Sequence, residues 1–215
     1  MIAKCRASRP CSAGVSPDSF FRSVQRAGET PALQALLLLA ALALTLPAHA
    51  GEPLQLTARG TVQVAFTPGD SAATLVIEAL RKAKRQVLVQ SYSFTHKDIA
   101  QALVDAQRRG LDVQLIADPV QHQRGATSLV AWLGEQGVPV WLDGEHAAAH
   151  DKVMVIDNGM ADAAVITGSF NFTHAAQYRN SENLLLLRGN PALAEAYAAN
   201  WRRHRIHSLP YRAGR

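Results

Sequence analysis

Cysteine is nearly absent from this chain of 215 residues, which has Cys5 and Cys11 and none after them. A disulfide framework is therefore excluded for the remainder of the chain. A zinc site built on cysteine thiolates is excluded there for the same reason. Stability must come from a hydrophobic core, and the residues after position 50 are numerous enough to form one in a single domain.

The apolar stretch from Pro31 to Leu46 is shorter than the roughly 20 residues that a membrane-spanning helix needs. It follows a segment rich in Lys and Arg and precedes the small-residue sequence Ala48-His49-Ala50. These features predict a signal peptide over residues 1–50, cleaved after Ala50. We expect residues 51–215 to be exported to the periplasm or beyond, as one domain without a stable membrane span. A retained membrane anchor is the alternative.

A strong excess of positive charge is also missing after the predicted cleavage point. The whole chain has a net charge of +5, but the leader's five basic and two acidic residues account for three of those charges. The attraction of residues 51–215 to polyanions should therefore be modest and local. Two short basic runs, 81–85 and 202–205, are open to two interpretations, a solvated helix face or contacts with phosphate.

Hydrophobic periodicity predicts strands that alternate with helices. Predicted strands cover residues 62–66, 87–89, 111–117, 138–142, 153–156, 163–167 and 184–187. Predicted helices cover about 71–83, 97–109 and 128–136, and a last helix begins at Pro191, whereas 121–125 is expected to be a polar loop. This order predicts an α/β fold, with a mixed β-sheet flanked by helices.

Several polar residues surround the predicted hairpin of residues 152–167. His150 and Lys152 stand at the start of its first strand, where alternation of side chains places both on one face. Gly168 and Ser169 follow the second strand, which returns beside the start of the first. An imidazole and an ammonium that face the same small anion indicate a phosphate site containing a nucleophile.

The pattern His150-x-Lys152-x4-Asp157, followed by Gly168-Ser169-x-Asn171, resembles the His-Lys-Asp signature of the phospholipase D superfamily. The surrounding sequence is similar to the small, single-motif bacterial endonucleases of that superfamily. The segments that carry this similarity are Tyr92-Ser93-Phe94-Thr95, Gly168–Thr173, Asn180–Asn183 and Asn200-Trp201. The resemblance spans about residues 60–207. It implies a phospholipase D-like α/β sandwich and hydrolysis of phosphodiesters without a metal or other cofactor, through a phosphohistidine.

Each residue of the pattern has an expected role in such a reaction. His150 is the nucleophile, while Lys152 and the Asn171 amide hold the non-bridging oxygens on which charge builds in the transition state. Ser169 adds a hydroxyl contact. Glu182 is expected to orient His150 by accepting the proton on its second ring nitrogen.

Asp157 and Gly168 are expected to have supporting roles. Asp157 would face away from Lys152 in an unbroken strand, so we expect a structural role, such as capping the hairpin tip. Ten residues separate Asp157 from Gly168, more than is usual in the family. We interpret residues 158–162 as an enlarged tip at the end of the hairpin far from His150, where a longer loop costs little.

The mechanism needs two histidines on opposite sides of one phosphorus, yet the signature occurs once in this chain. Relatives with one copy form homodimers with the site on the two-fold axis, and we expect the same here. A metal at His146 is not expected, because no cysteine and no second pair of clustered histidines accompany it. The Tyr92/Phe94 pair and Trp201 are interpreted mainly as packing residues, with base stacking as the alternative for the pair.

The sequence thus predicts an exported phosphodiesterase, an endonuclease acting on the phosphate backbone of DNA or RNA with little sequence preference. Phospholipid headgroup hydrolysis is the first alternative, since the same chemistry cleaves both substrates. The second alternative is a nucleic-acid-binding protein that has lost its activity.

Overall fold

Eight strands form one mixed sheet in the computed structural model, which describes residues 52–125 and 127–212. The predicted signal peptide, residues 1–50, lies outside the described residues. Within the described ranges no helix combines the length and apolar content that crossing a bilayer requires. The strands are β1 (Thr61–Thr67), β2 (Gln86–Ser91), β3 (Asp112–Ala117), β4 (Val140–Leu142), β5 (Lys152–Ile156), β6 (Ala164–Gly168), β7 (Glu182–Arg188) and β8 (Leu209–Pro210). The helices are α1 (Ala72–Lys82), α2 (Lys97–Arg108), α3 (Pro119–Arg124), α4 (Val130–Glu135), α5 (His174–Tyr178) and α6 (Pro191–His207).

The sheet has a parallel half and an antiparallel half, in the strand order β1-β7-β6-β5-β2-β3-β4-β8. Strands β2, β3 and β4 are parallel neighbours, whereas β2 pairs antiparallel with β5, and β5, β6, β7 and β1 continue antiparallel. The predicted α/β fold with a mixed, helix-flanked sheet is confirmed. At one end of these strands, this order places the end of β2, the start of β5, the end of β6 and the start of β7 next to one another.

The alternation of side chains along β5 divides the core into two layers. Met154 and Ile156 lie in the larger layer, which contains α1 and α2, while Val153 and Val155 lie in a smaller layer against α6. Trp201 on α6 is 3% exposed, and its Nε1 donates a hydrogen bond to the carbonyl of Val89 at 2.9 Å. Its interpretation as a core residue is confirmed.

The central part of the sheet is therefore covered on both faces, but β1 is not. The outward side chains of this edge strand, Val62, Val64 and Phe66, are 61%, 51% and 60% exposed. They lie beside Leu185 and Leu187 of β7, which are partly exposed. We call these five residues the β1–β7 face.

The prediction of a polar loop over residues 121–125 is wrong, because residues 119–124 form helix α3. Asp118 starts this helix by accepting a hydrogen bond from the backbone N–H of Gln121 at 2.7 Å, and Pro119 occupies its first turn. Proline following an aspartate is a typical beginning of a helix, and this signal outweighs the polar composition of the segment.

Candidate active site

A surface pocket opens at the end of the sheet where the end of β2, the start of β5, the end of β6 and the start of β7 lie side by side. Its lining contains all five residues that the sequence assigned to the reaction. The lining residues are His150, Asp151, Lys152, Val153, Thr167, Gly168, Ser169, Asn171 and Glu182. They come from the loop before β5, the start of β5, the end of β6, the segment after β6 and the start of β7. The hairpin thus gathers residues that are up to 32 positions apart in the sequence, from His150 to Glu182.

Lys152 and His150 face each other across the floor of the pocket. The ammonium nitrogen of Lys152 lies 3.0 Å from Nδ1 of His150 and 2.5 Å from its carbonyl oxygen. His150 is exposed, but Lys152 is only 8% exposed. Burial lowers the pKa of Lys152 from its ordinary value, while the negative charges of Asp151 and Glu182 act in the opposite direction. A cation held with so little solvent is well placed to bind an anion.

Ser169 and Glu182 form the opposite wall of the pocket. The Ser169 hydroxyl donates to Oε2 of Glu182 at 2.5 Å and accepts a hydrogen bond from the backbone N–H of Asn183 at 3.0 Å. Oε1 of Glu182 accepts from the Asn180 amide at 2.9 Å. These contacts fix the hydroxyl and the carboxylate relative to β7.

Within one chain, the structure shows no contact between Glu182 and His150 among the described residues, and the orienting role expected for Glu182 stays a prediction. Both Glu182 oxygens pair with other residues, and no hydrogen bond joins Glu182 to His150 among the described residues. The strand order explains this difference, since β6 lies between β5 and β7. Two strand spacings of about 4.8 Å separate the start of β7 from that of β5, so Glu182 reaches Ser169 instead.

Gly168 ends β6 at a position that only glycine can occupy. Its φ is +146°, and a Cβ atom there would lie 2.4 Å from the carbonyl oxygen of Asn183. The close approach of β6 to β7 is what brings Ser169 against Glu182. Gly168 therefore shapes the wall of the pocket through the backbone.

Asn171 lies at the rim of the pocket with an unsatisfied amide. Its Oδ1 is buried and has no hydrogen-bond partner among the described residues. Buried polar atoms in folded proteins are nearly always paired. This oxygen can accept a hydrogen bond from water or from a donor group, whereas a phosphate oxygen would have to contact the Nδ2 donor of the same amide.

Asp157 lies at the other end of the hairpin, away from the pocket. It is 2% exposed and has a positive φ of 57°. Its carboxylate accepts hydrogen bonds of 2.7 to 3.1 Å from the backbone N–H groups of Lys84, Arg85 and Gln86. Asp157 thus has a structural position. Its carboxylate caps the connection between α1 and β2, and not the hairpin tip.

Tyr92 belongs to the pocket region, whereas the sequence indicated packing. Its ring lies 4.3 Å from the His150 ring, and the Lys152 ammonium is 4.8 Å from its centroid. Phe94 is 2% exposed, and its interpretation as a packing residue is confirmed. The signal for Tyr92 was its place immediately after β2, because the carboxyl ends of parallel strands are where α/β proteins build their sites.

A second polar cluster contradicts the reason given for expecting no metal at His146. Asp143, His146, His204 and His207 bring potential ligand atoms within 4.8 Å of one another. The sequence interpretation held that no second histidine pair accompanies His146. That statement was wrong, because the fold brings both His204, which was interpreted as part of the basic run 202–205, and His207 back to the end of β4.

Comparisons with known proteins agree with this geometry. A family model described as cardiolipin synthase, PLD-like domain, matches residues 76–205. The chain is 36% identical over 143 residues to phospholipase D of Rickettsia typhi, covering 66% of this chain and 67% of that protein. It is 29% identical over 134 residues to mitochondrial cardiolipin hydrolase of Xenopus laevis, covering 62% of this chain and 61% of that one.

A solved structure shares the fold as well as the sequence. Nuc from Salmonella typhimurium, a phospholipase D family member, superposes with a TM-score of 0.66 and 38% identity. The match covers 71% of this chain and 98% of that chain. Its sheet and flanking helices correspond to the architecture described above. The chain therefore belongs to the phospholipase D superfamily, and it is a phosphodiesterase of that superfamily.

Proposed function

We propose that this protein is an exported endonuclease that cleaves the phosphate backbone of DNA, and RNA where it is offered, without a metal ion in the reaction. The observation that carries the proposal is the pocket itself, in which His150 and the buried Lys152 lie 3.0 Å apart beside Ser169 and Asn171. These residues supply a nucleophile, a cation and two polar contacts for one phosphodiester. Export rests on the signal peptide pattern in the sequence.

The reaction proceeds in two displacements at phosphorus. The unprotonated ring nitrogen of His150 forms a bond to phosphorus as the bond to the leaving oxygen breaks. A second, protonated histidine donates its proton to that oxygen. Water then attacks the phosphohistidine, gives its proton to the second histidine and releases His150. Lys152 and Asn171 stabilise the charge on the non-bridging oxygens in both steps.

Because Lys152 contacts His150, binding of the substrate phosphate also activates His150 as a nucleophile. An ammonium that donates to Nδ1 leaves the proton of the neutral imidazole on Nε2, which then cannot attack. A phosphate in the pocket competes for the same ammonium. Once Lys152 turns to the phosphate, Nδ1 is free to take the ring proton and Nε2 becomes the nucleophile.

The second histidine comes from a second copy of the chain, with the site shared across a two-fold axis. Two observations support a homodimer. The pocket contains one histidine, whereas the reaction needs two. The β1–β7 face is apolar and exposed, and its Phe66 end lies beside Asn183, next to the Glu182 wall of the pocket. An apolar surface of this kind is typical of an interface.

The homodimer is tested by placing a charge on the β1–β7 face. Val64→Asp should give a monomer in sedimentation velocity with at least a 100-fold loss of activity, because the second histidine is removed from the pocket. Leu209→Asp is the matched control, since Leu209 is 72% exposed at the opposite edge of the sheet. A wild-type chain that is active as a monomer would refute the shared site.

Hydrolysis of phospholipids is the second candidate function. It is favoured by the names of two relatives, a phospholipase D and a mitochondrial cardiolipin hydrolase. The same pocket chemistry would cleave the phosphodiester of a lipid headgroup, and the β1–β7 face would then contact the lipid surface. A nucleic-acid binder without activity is the third candidate, which the complete set of pocket residues argues against.

One assay separates these functions. The purified protein is incubated with supercoiled plasmid, single-stranded DNA, RNA and phosphatidylcholine or cardiolipin vesicles, each with and without excess EDTA, at a temperature well below unfolding. We expect nicked and linear plasmid in EDTA, with no product from His150→Ala. Headgroup release without cleavage of nucleic acid would establish the lipid function. Binding to DNA with no cleavage, or cleavage only when a divalent ion is added, would overturn the proposal.

A further inference from the structure

Three histidines surround one buried carboxylate on the side of the molecule where α6 packs. Asp143 follows β4, and His146 stands three residues later in the loop that leads to β5. His204 and His207 lie one turn apart near the end of α6, so both face the same neighbour. The cluster thus consists of two pairs, Asp143 with His146 and His204 with His207. The members of each pair are three residues apart, and about 60 residues of sequence separate the pairs.

The distances within the cluster are short. Asp143 has no exposed side-chain surface, and its Oδ2 lies 2.6 Å from Nδ1 of His204. Its Oδ1 lies 3.2 Å from Nε2 of His207. The three imidazole centroids are 5.3 to 5.5 Å apart, so the rings form a nearly equilateral triangle beside the carboxylate.

A hydrogen-bonded carboxylate alone does not explain this arrangement. His204 satisfies one oxygen of Asp143, and the backbone N–H of Glu145 reaches the other at 3.1 Å. Nε2 of His207 is nevertheless buried and makes no hydrogen bond among the described residues, although it lies 3.2 Å from Oδ1 of Asp143. His146 makes no hydrogen bond to Asp143 in the described chain, yet its ring completes the triangle. One buried imidazole nitrogen without a partner in the described chain, beside two further imidazoles and a carboxylate, leaves a ligand atom available for an ion.

We propose that Asp143, His146, His204 and His207 bind one divalent transition-metal ion, with zinc as the best fit. Three imidazole nitrogens and one carboxylate oxygen form a complete tetrahedral set for zinc, and the site needs no cysteine. Bonds of about 2.0 to 2.2 Å place tetrahedral ligands roughly 3.4 Å apart. The ligand atoms already lie within 4.8 Å of one another, and the exposed His146 can close the remaining gap by rotating.

This ion has a structural function and takes no part in the reaction at phosphorus. None of its four ligands lines the pocket that contains His150. It joins the end of α6 to the loop of residues 143–151, which contains His150. The metal therefore restrains the segment that carries the proposed nucleophile while leaving the chemistry metal-independent.

Direct binding measurements test this site. The full chain is purified without a histidine tag, stripped with chelator and titrated with Zn²⁺ against a chromogenic competitor. We expect one ion per chain, a melting temperature raised by about 5 °C or more at saturation, and a visible tetrahedral spectrum with Co²⁺. His207→Gln should weaken Zn²⁺ binding at least 100-fold, whereas His174→Gln, an exposed histidine on α5, should leave it unchanged.

A second variant protects the test against misfolding. His146 is exposed and makes no hydrogen bond to Asp143 within the described residues, so His146→Gln should fold normally and still weaken Zn²⁺ binding at least tenfold. The proposal is overturned if the stripped protein does not bind Zn²⁺, or if both cluster variants bind it as tightly as His174→Gln. Because the readouts are affinity and spectrum, a failure here is distinct from a failure of the nuclease assay.

Discussion

The two ends of the β5–β6 hairpin use similar residue types in opposite ways. At the tip end, the Asp157 carboxylate is buried and accepts hydrogen bonds from three consecutive backbone N–H groups. At the open end, the Asn171 amide has a buried oxygen without a partner, and the Lys152 ammonium lies over the Tyr92 ring and makes hydrogen bonds only to His150, counting the described residues. The first set is saturated by the fold, while the second is left for a bound molecule.

This difference shows that one sequence signature can contain residues that stabilise the fold together with residues that bind the substrate. Asp157 belongs to the same pattern as His150 and Lys152, yet it lies at the other end of β5. A charged group whose hydrogen bonds are all made by the backbone contributes to stability, because removing it leaves several donors unpaired. A charged group that the fold leaves partly unpaired contributes to binding. Variants at the two ends should therefore separate activity from stability.

The largest expected effect is at the open end. His150→Ala should lower kcat by at least about 1,000-fold, because the reaction loses its nucleophile. His150 is exposed, so the melting temperature should stay within about 2 °C of the wild type. Single-turnover cleavage and thermal unfolding are measured on the same preparation. A variant that keeps the wild-type rate would remove His150 from the reaction.

The tip end should show the reverse behaviour. Asp157→Asn keeps the side-chain size and the tolerance for a positive φ, but it replaces a charged acceptor with an amide. We expect a loss of about 3 kcal/mol in the free energy of unfolding, with kcat of the folded fraction unchanged. Urea unfolding measures the first quantity and active-site titration of the folded fraction checks the second.

A matched control for Asp157 is available at the same tip. Lys84 and Asp162 form an exposed ion pair of 2.7 Å. Exposed pairs of this kind contribute little to stability, so Lys84→Met should give an unfolding curve that overlays the wild type. If Lys84→Met destabilises as much as Asp157→Asn, charge at the tip and not backbone capping is the cause.

The smallest effect concerns the pH dependence at the open end. Burial favours the neutral amine of Lys152 and lowers its pKa, so the phosphate contact is lost as pH rises through that lowered value. Activity should therefore begin to fall below the ordinary lysine pKa of about 10.4. Lys152→Arg remains charged, so its alkaline limb should move to higher pH even though its maximal rate is lower. Superimposable limbs for the two proteins would contradict this assignment.

Most of the fold could be predicted because its signals are local. Helix α2 was predicted over 97–109 and spans Lys97–Arg108, since Ile99 and Leu103 form a buried stripe and Gly110 follows. The order of the strands could not be predicted in this way, because pairings such as β1 with β7 join segments more than 100 residues apart. The partner of Glu182 within the chain depends on that order, which is why its contact with Ser169 was not predicted.

The cluster around Asp143 was missed for a related reason. Each half of it has an ordinary appearance in the sequence. One half contains a loop histidine, and the other contains His204 of the basic run 202–205 followed by His207. The spacing of His204 and His207 on one helix face was the available signal. Only the packing of α6 against the end of β4 shows that the two halves meet.

The carboxylate of Asp118 has a consequence for the nucleophile. One of its oxygens accepts from Gln121 at the start of α3, and the other accepts from the backbone N–H of Ala149 at 3.0 Å. The residue before His150 is therefore anchored to the sheet, and Gln121 in turn donates to the Tyr92 hydroxyl at 3.0 Å. The conformational entropy of this loop is lost when the chain folds, not when substrate arrives, so the imidazole is already in position and only its ring proton has to move when the phosphate binds.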